Sequence, residues 1–186
     1  MRIISGYLKG RKILEPNDIH TRPLKDLTKE SIFNIIQHSN LINFNLEKSK
    51  VLDIFSGVGS FGLECISRGA KNVTFCENYP KAIKVLKKNI LDFECQNKTE
   101  IINENIFNIK KLSQFYKKKF ELIFLDPPYK EKKLTNILND ILYLKLLRKD
   151  GIIVIHRHKK EKEEYPKKFN ILKIKTYGIS KIIFGN

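Results

Sequence analysis

The chain has 186 residues, of which 41% are hydrophobic, enough for one domain with a real core and a small appendage. Lys and Arg total 36 against 20 Asp and Glu, and the net charge of +16 favours a polyanionic partner such as nucleic acid. The chain is also rich in Lys, Ile and Asn, so an AT-biased genome is an alternative source of part of the lysine excess.

Features that the sequence lacks narrow the class of protein. No segment approaches the ~18 apolar residues of a membrane span, and the opening residues have neither the apolar core nor the cleavage site of a signal peptide. The three cysteines, at positions 65, 76 and 95, form no C-x-x-C pair, which suits a reducing compartment. The four histidines are scattered, and we interpret His156 and His158 as solvated or RNA-facing rather than as metal ligands. We therefore expect a cytoplasmic protein with no membrane span and no metal.

Residues 1–45 are predicted to form a small appendage. Short strands at residues 2–4 and 11–14 indicate a β-hairpin, and a helix capped by Asp26 or Thr28 follows as far as about Ser39. The candidate phosphate contacts in this appendage are Lys9, Arg11, Lys12 and Arg22, and the alternative for Arg22 is an ion pair with Glu30.

Residues 46–186 alternate between strands and helices, which predicts a mostly parallel, seven-stranded sheet with helices on both faces. Two final β runs around Tyr177-Gly178 are expected to pair antiparallel at the sheet edge. The predicted strands are 50–55, 72–76, 100–102, 120–125, 152–155, 169–176 and 179–184, the predicted helices are 60–68, 80–94 and a stretch around 134–142, and 149–151 is a predicted turn.

A glycine-rich segment follows the first of these strands. Residues 56–62 read S-G-V-G-S-F-G, and the G-x-G-x-x-G spacing lets a ligand approach the backbone. The spacing alone also fits a dinucleotide-binding fold, and Glu77 at the end of the next strand would hold ribose hydroxyls in either case. Asp53, just before the glycines, would repel a pyrophosphate but favours the sulfonium and ammonium of S-adenosylmethionine. The segment therefore predicts a methyl-donor site.

Asp126-Pro127-Pro128-Tyr129 follows an apolar strand and suits a flat base that carries an amino group. Two prolines in a row form a stiff edge that offers carbonyl oxygens and no N–H. An –NH₂ group would donate one hydrogen to Asp126 and one to the Pro127 carbonyl, with Tyr129 stacked on the ring. The alternative is an ordinary proline-rich turn.

Four polar residues stand at the ends of four predicted strands. Because ligands bind beyond the carboxyl ends of parallel strands, we expect these residues to converge on one crevice. They are Asp53, Glu77, Asn105 and Asp126.

A family resemblance is carried by segments spread over nearly the whole chain. They are 2–6 with 9–11, 21–23 with 29–34, 52–59, 63–64 with 67–70, 126–129 and 177–178. Together they resemble the RsmD family of class I S-adenosylmethionine-dependent methyltransferases, which methylate the exocyclic N2 amine of a guanine in small-subunit (16S) ribosomal RNA. The glycine loop is common to many methyltransferases, whereas its combination with Thr21-Arg22-Pro23 is much more specific.

The resemblance implies a Rossmann-like fold, a ribosomal RNA partner within a small-subunit particle, and a monomer. The implied cofactor-binding residues are Asp53, Ser56, Gly57, Gly59, Glu77, Asn105 and Ile106. The implied catalytic residues are Asp126, Pro127 and Tyr129. The RNA-binding candidates are Lys9, Arg11, Lys12, Arg22 and Lys29.

Two positions depart from the family pattern. Lys29 stands where the family usually has arginine, and a lysine cannot make a bidentate contact. Residues 155–158, I-H-R-H, are more basic than the family, whose members often have an acid there.

Three other functions remain open. A DNA adenine-N6 methyltransferase grips the same kind of amine, and a protein-glutamine methyltransferase grips an amide. Neither is expected to begin with the Thr21-Arg22-Pro23 module. A non-catalytic RNA-binding protein would be expected to have a damaged glycine loop, and this loop is intact.

Overall fold

The computed structural model describes residues 1–17, 24–40, 44–104, 115, 118–128, 131 and 133–186. The helices are α1 (Asp26–His38), α2 (Ser60–Ser67), α3 (Pro80–Asp92) and α4 (Leu134–Tyr143), with a short 3₁₀ helix at Gln96–Lys98. The strands are β1 (Lys50–Ile54), β2 (Asn72–Cys76), β3 (Thr99–Ile102), β4 (Phe120–Leu125), β5 (Leu147–His158), β6 (Ile171–Tyr177) and β7 (Ser180–Gly185).

The strands form one seven-stranded sheet in the order β3-β2-β1-β4-β5-β7-β6. Strands β1 to β5 pair in parallel, whereas β7 is antiparallel to both β5 and β6. The predicted sheet and its antiparallel C-terminal pair are therefore confirmed. The chain builds outwards from β1 through β2 to β3 and then returns to β4 on the other side of β1. The carboxyl ends of β1 and β4 thus flank a topological switch point, where ligands bind in sheets of this kind.

Apolar side chains on the two faces of the sheet belong to two hydrophobic clusters. Val51 and Leu122 pack in a cluster with α1, α2 and α3. Leu52 and Ile123, the next residues along their strands, pack in a second cluster with α4. Side chains of a strand alternate between faces, so an unbroken apolar run is what a doubly covered parallel sheet requires.

The N-terminal residues form a tight hairpin with one β-bridge, between Arg2 and Lys12. Ile3, Leu8 and Ile13 of this segment are buried in the same cluster as α1 to α3. Glu64 of α2, which is fully buried, accepts hydrogen bonds from the backbone N–H groups of Ile4 at 2.7 Å and Ser5 at 3.0 Å. The hairpin is therefore packed firmly on the sheet's helical layer, while the division at residue 45 stays a prediction.

Two local predictions were wrong. Helix α1 begins at Asp26 with Lys25 at the N-cap and no side-chain cap, so neither Asp26 nor Thr28 caps it. Strand β5 begins at Leu147, and the predicted turn at residues 149–151 lies within it. An irregularity in the pairing of β4 with β5 accommodates these residues, because the register shifts between Phe120 and Leu122.

In the described ranges, no helix combines the length and the apolar character needed to cross a bilayer.

Candidate functional site

Asp53 lies at the switch point, near the carboxyl end of β1. It is 1% exposed, and its Oδ2 accepts a hydrogen bond from the backbone N–H of Gly62 at 3.0 Å. Its Oδ1 is buried with no hydrogen-bond partner among the described residues. Burial raises the pKa of Asp53 to about 8; the Gly62 hydrogen bond opposes this, and the negative charges of Asp126 and Glu77 add to it. Asp53 is thus a buried carboxyl group that a cationic ligand would stabilise in its ionised form.

The glycine loop after β1 takes a backbone path that needs glycine at two points. Gly57 has φ +55° and Gly59 has φ +85°, and both angles are strained for residues with a side chain. A Cβ on Gly59 would lie 2.4 Å from Leu86 Cδ1, so this position is closed by packing. A Cβ on Gly57 would meet nothing within 4 Å among the described atoms, so this part of the loop faces open space. Ser56, which is buried, ties the loop to β2 through a 3.1 Å hydrogen bond from its N–H to the Cys76 carbonyl.

Glu77 follows β2 and organises the backbone around it. Its Oε2 accepts the N–H of Gly57 at 2.7 Å, and its Oε1 accepts the N–H groups of Asn78 and Tyr79, each at 2.9 Å. The Gly57 N–H is therefore directed at Glu77, and Gly57 contributes to the site by its conformation and by the space beside it. A carboxylate has about four lone-pair sites, so these three contacts leave Glu77 capacity for a hydroxyl group.

Asp126 follows β4 and completes the acidic side of the crevice. Its N–H bonds the carbonyl of Ile54 at 3.3 Å, which holds the two strand ends side by side. Its side chain is 12% exposed, and its Oδ1 lies 2.9 Å from His156 Nδ1. Because the charges of both Asp126 and Glu77 act on Asp53, the structure brings three of the four expected strand-end residues together. The fourth, Asn105, lies outside the described residues.

His156 and His158 were predicted to be solvated or RNA-facing; for His156 this prediction was wrong, whereas His158 is partly exposed. Strand β5 extends through His156 and Arg157, which are 3% and 1% exposed. His156 Nε2 lies 2.9 Å from Ser180 Oγ, and its Nδ1 contacts Asp126. Burial of His156 and Arg157 is possible because the nitrogen atoms of both side chains have hydrogen-bond partners.

Arg157 holds the loop that follows β4. Its Nη1 donates to the carbonyl of Pro128 at 2.9 Å and lies 3.3 Å from that of Pro127, and its Nη2 donates to the carbonyl of Glu131 at 3.0 Å. Its Nε pairs with Glu163. The Pro127 carbonyl thus points at a guanidinium and, having two lone pairs, can accept one further hydrogen bond.

The basic residues predicted to bind RNA fall into two groups. Lys9, Arg11 and Lys12 are exposed on the hairpin, although Arg11 Nη2 also donates to the carbonyl of Asp92 at 2.5 Å. Lys29 is fully buried, and its Nζ donates to the carbonyl of Arg2 at 2.6 Å and lies 3.5 Å from Glu64 Oε2. A side chain held in this way cannot reach a phosphate, so Lys29 does not fit the predicted RNA contact.

Four predicted site residues lie outside the described residues, namely Arg22, Asn105, Ile106 and Tyr129. Within the described ranges, no group of three or more His, Cys, Asp or Glu side chains is arranged to hold a metal ion.

Comparison with known proteins identifies the family. The model of the family described as "Conserved hypothetical protein 95" matches residues 1–186. This chain belongs to that family. It is 34% identical over 181 residues to "Putative rRNA methyltransferase YlbH" of Bacillus subtilis, covering 97% of this chain and 95% of the relative. It is 32% identical over 180 residues to "Ribosomal RNA small subunit methyltransferase D" of Haemophilus influenzae, covering 96% of this chain and 90% of the relative.

A solved structure agrees with both the fold and the family. "Crystal structure of putative methylase HI0767 from Haemophilus influenzae" matches with a TM-score of 0.74 and 29% identity, covering 99% of this chain and 96% of the other. The predicted resemblance to the RsmD family and the Rossmann-like methyltransferase fold are thereby confirmed, and the chain is a methyltransferase.

Proposed function

We propose that this methyltransferase transfers a methyl group from S-adenosylmethionine to the exocyclic N2 amine of a guanine in small-subunit ribosomal RNA. The observation that carries the proposal is the switch-point crevice, where Asp53 lies beside an open glycine loop and close enough to Asp126, at the next strand end, for the charge of Asp126 to act on it. The relative from Haemophilus influenzae bears the name of a small-subunit ribosomal RNA methyltransferase, which supports the choice of substrate.

The described residues fit this cofactor. The Oδ1 of Asp53 has no hydrogen-bond partner among the described residues, and burial raises the pKa of its carboxyl group to about 8, so the ammonium of the methionine part would both pair with Oδ1 and favour the ionised carboxylate. Open space beside Gly57 admits the ligand next to the backbone, and Glu77 keeps lone pairs for ribose hydroxyls. When bound, the cofactor supplies an electrophilic methyl group on a sulfonium. Asn105 and Ile106 remain our candidates for the adenine contacts.

Asp126 and the Pro127 carbonyl would receive the two hydrogens of the guanine amine. These hydrogen bonds draw the nitrogen lone pair out of the ring and stabilise the positive charge that develops on nitrogen. As the new N–C bond forms and the S–C bond breaks, Asp126 accepts the proton that the nitrogen loses and later releases it to solvent. Holding the amine in line with the methyl carbon supplies roughly 7–11 kcal/mol of the rate enhancement. The guanine must leave its stack to reach Asp126, and Tyr129 is our candidate for the stacking partner that offsets this cost.

The RNA would reach this crevice across the N-terminal hairpin. Lys9 and Lys12 are exposed there, and Tyr7, which is 59% exposed, lies beside Lys98, whose Nζ is 5.3 Å from the ring centroid. Cationic side chains next to an exposed aromatic ring suit a single-stranded segment of RNA. Arg22 remains a candidate for the same surface.

The function is tested by methyl transfer from labelled cofactor to small-subunit particles that lack the modification, followed by nucleoside analysis. We expect label in N2-methylguanosine and none in duplex DNA offered in parallel. Label in methyladenine, or transfer to DNA alone, would overturn the proposal.

The role of Asp126 is tested with Asp126→Ala, which should lower turnover at least about a hundredfold because it removes both charge stabilisation and the proton acceptor. Calorimetry should show that this variant still binds the cofactor. Asp150→Ala, an exposed change at the far end of β5, is the matched control and should retain activity. Near-normal turnover by Asp126→Ala would exclude the proposed role.

A further inference from the structure

A chain of buried polar groups stands behind Asp126. Asp126 Oδ1 is 2.9 Å from His156 Nδ1, and His156 Nε2 is 2.9 Å from Ser180 Oγ. His156 and Ser180 are 3% and 6% exposed. The proposed catalytic carboxylate is therefore connected, through an imidazole ring, to a hydroxyl group on another strand.

With a neutral imidazole and an ionised Asp126, one arrangement of protons satisfies these three hydrogen-bonding groups. An ionised carboxylate accepts hydrogen bonds and donates none, so the imidazole proton must sit on Nδ1. Nε2 is then an acceptor, and the Ser180 hydroxyl must donate to it. The hydrogen bond made by one ring nitrogen sets the proton on the other, so Ser180 fixes the tautomer that Asp126 needs.

Pairing of β5 with β7 brings His156 and Ser180 together. In the antiparallel pair of β5 and β7, His156 lies opposite Ile182 and His158 lies opposite Ser180. His156 and Ser180 are thus diagonal neighbours, two positions out of register, and such neighbours can touch when one side chain is long. The C-terminal strand pair in this way contributes a residue to the site at the end of β4.

Strand β5 also holds the second candidate acceptor. Arg157, the residue after His156, lies 3.3 Å from the Pro127 carbonyl and donates to the Pro128 carbonyl at 2.9 Å. Two consecutive residues therefore contact the carboxylate and the carbonyl that the amine would use. Misplacement of a reacting group by about 1 Å can cost about a hundredfold in rate, so such anchoring has a direct catalytic consequence.

We propose that His156 and Ser180 are positioning residues for methyl transfer: Ser180 fixes the Nδ1-protonated tautomer of His156, and His156 holds the Asp126 carboxylate oriented towards the amine. This inference rests on the proposed function. It assigns no contact with the substrate to either residue, since both act through Asp126.

The kinetic test compares two replacements of His156. Leucine fills the space and donates nothing, whereas the side-chain NH₂ of asparagine takes roughly the place of Nδ1–H. We expect His156→Leu to lower kcat about a hundredfold with unchanged affinity for the cofactor, and His156→Asn to recover most of that loss. Ser180→Ala should lower kcat about tenfold, as loss of the partner that orients a histidine does elsewhere. Ser49→Ala, which removes another buried hydroxyl far from the site, is the matched control and should leave kcat unchanged.

A spectroscopic test reads the tautomer directly. At a pH where the His156 ring is neutral, its ¹⁵N shifts in the free enzyme should show the proton on Nδ1, and Ser180→Ala should produce a mixture of tautomers. A ring protonated on Nε2 alone in the wild type would overturn the proposal.

Thermal unfolding of every variant separates positioning from a merely structural role. If kcat simply follows the unfolding temperature, with the leucine and asparagine variants equally impaired, His156 is structural and the inference is wrong. If the wild type methylates particles and His156→Leu is equally active, the inference is wrong and the proposed function stands. A wild-type enzyme that methylates no ribosomal RNA overturns the proposed function and the inference with it.

Discussion

Replacing Asp53 with asparagine tests how the crevice would hold its cofactor. Burial raises the pKa of Asp53 to about 8, so at about pH 6.5 the carboxyl group of the free enzyme is about 97% protonated. A bound ammonium beside the unpartnered Oδ1 would hold the group ionised, so binding should release about one proton. The pKa of Asp53 lies about 1.5 units above this pH, and each unit corresponds to about 1.4 kcal/mol, so ionising Asp53 costs about 2 kcal/mol. The attraction between the carboxylate and the ligand's positive charge must supply this free energy. α-Amino groups titrate near about 7.7–8.0, so the ligand's own ammonium contributes little to the proton balance at this pH.

The assay is calorimetry of cofactor binding in two buffers of different ionisation enthalpy, from which the number of protons released is obtained. The wild type should release about one proton at pH 6.5, and Asp53→Asn should release none and bind more weakly. Asparagine retains an oxygen for the Gly62 N–H, so the loop geometry is preserved. Equal proton release by the two proteins would refute the reasoning, because the proton would then come from another group.

Four further outcomes are expected. The pKa of Asp53 lies above its ordinary value in the folded protein, so the free wild type loses stability as pH rises from about 4 to 8. Asp53→Asn should therefore unfold at a higher temperature than the free wild type at pH 8, and at a similar temperature near pH 3.8. Glu64→Gln, which removes a buried charge between Lys29 and Arg68, should cost about 3–5 kcal/mol in denaturant unfolding and speed amide exchange in the hairpin. Arg157→Ala should lower turnover on particles more than tenfold, because the loop that carries Pro127 loses its anchor, while calorimetry shows unchanged cofactor affinity. Exchanging Lys9 and Lys12 for glutamine should lower the slope of log affinity for RNA against log salt by about 1.4–1.8, and an unchanged slope would remove the hairpin from the RNA surface.

The strands of the sheet's centre were predictable because they are short and mostly apolar, with few polar residues among them. The bounds of β2 and β4 agree with the sequence prediction, and β1 ends one residue earlier. A strand that is buried on both faces appears in the sequence as a short, mostly apolar run. The C-terminal pair was predictable for a different reason, since two β runs flank the turn at Gly178.

The true extent of β5 was not predictable, and the physical reason lies in His156 and Arg157. In the sequence they look like a solvated basic segment, because nothing nearby in the chain marks them as paired. The partners of His156 include Asp126, 30 residues earlier, and Ser180, 24 residues later, and strand pairing brings these together. Buried polar groups with distant partners carry no periodic signal.

Lys29 illustrates the same limit at the other end of the chain. A lysine in a basic N-terminal segment is a reasonable candidate for RNA binding, yet its ammonium lies 3.5 Å from the carboxylate of Glu64 inside the protein. Burial lowers the pKa of Lys29, and the neighbouring Glu64 opposes that shift. The spacing of 35 positions between the two residues has no helical or strand period, so the pair becomes visible only in three dimensions.

The placement of β7 between β5 and β6 has a consequence for biosynthesis. Ser180 and the strand that pairs with β5 leave the ribosome after the glycine loop and Asp126, because they follow them in the chain. Until residues 180–185 are free to insert, one side of β5 is unpaired and His156 lacks its hydroxyl partner. A nascent chain would therefore form the crevice beside the glycine loop before Asp126 gains the support of His156 and Ser180, so we expect an incomplete polypeptide to be a poor methyltransferase.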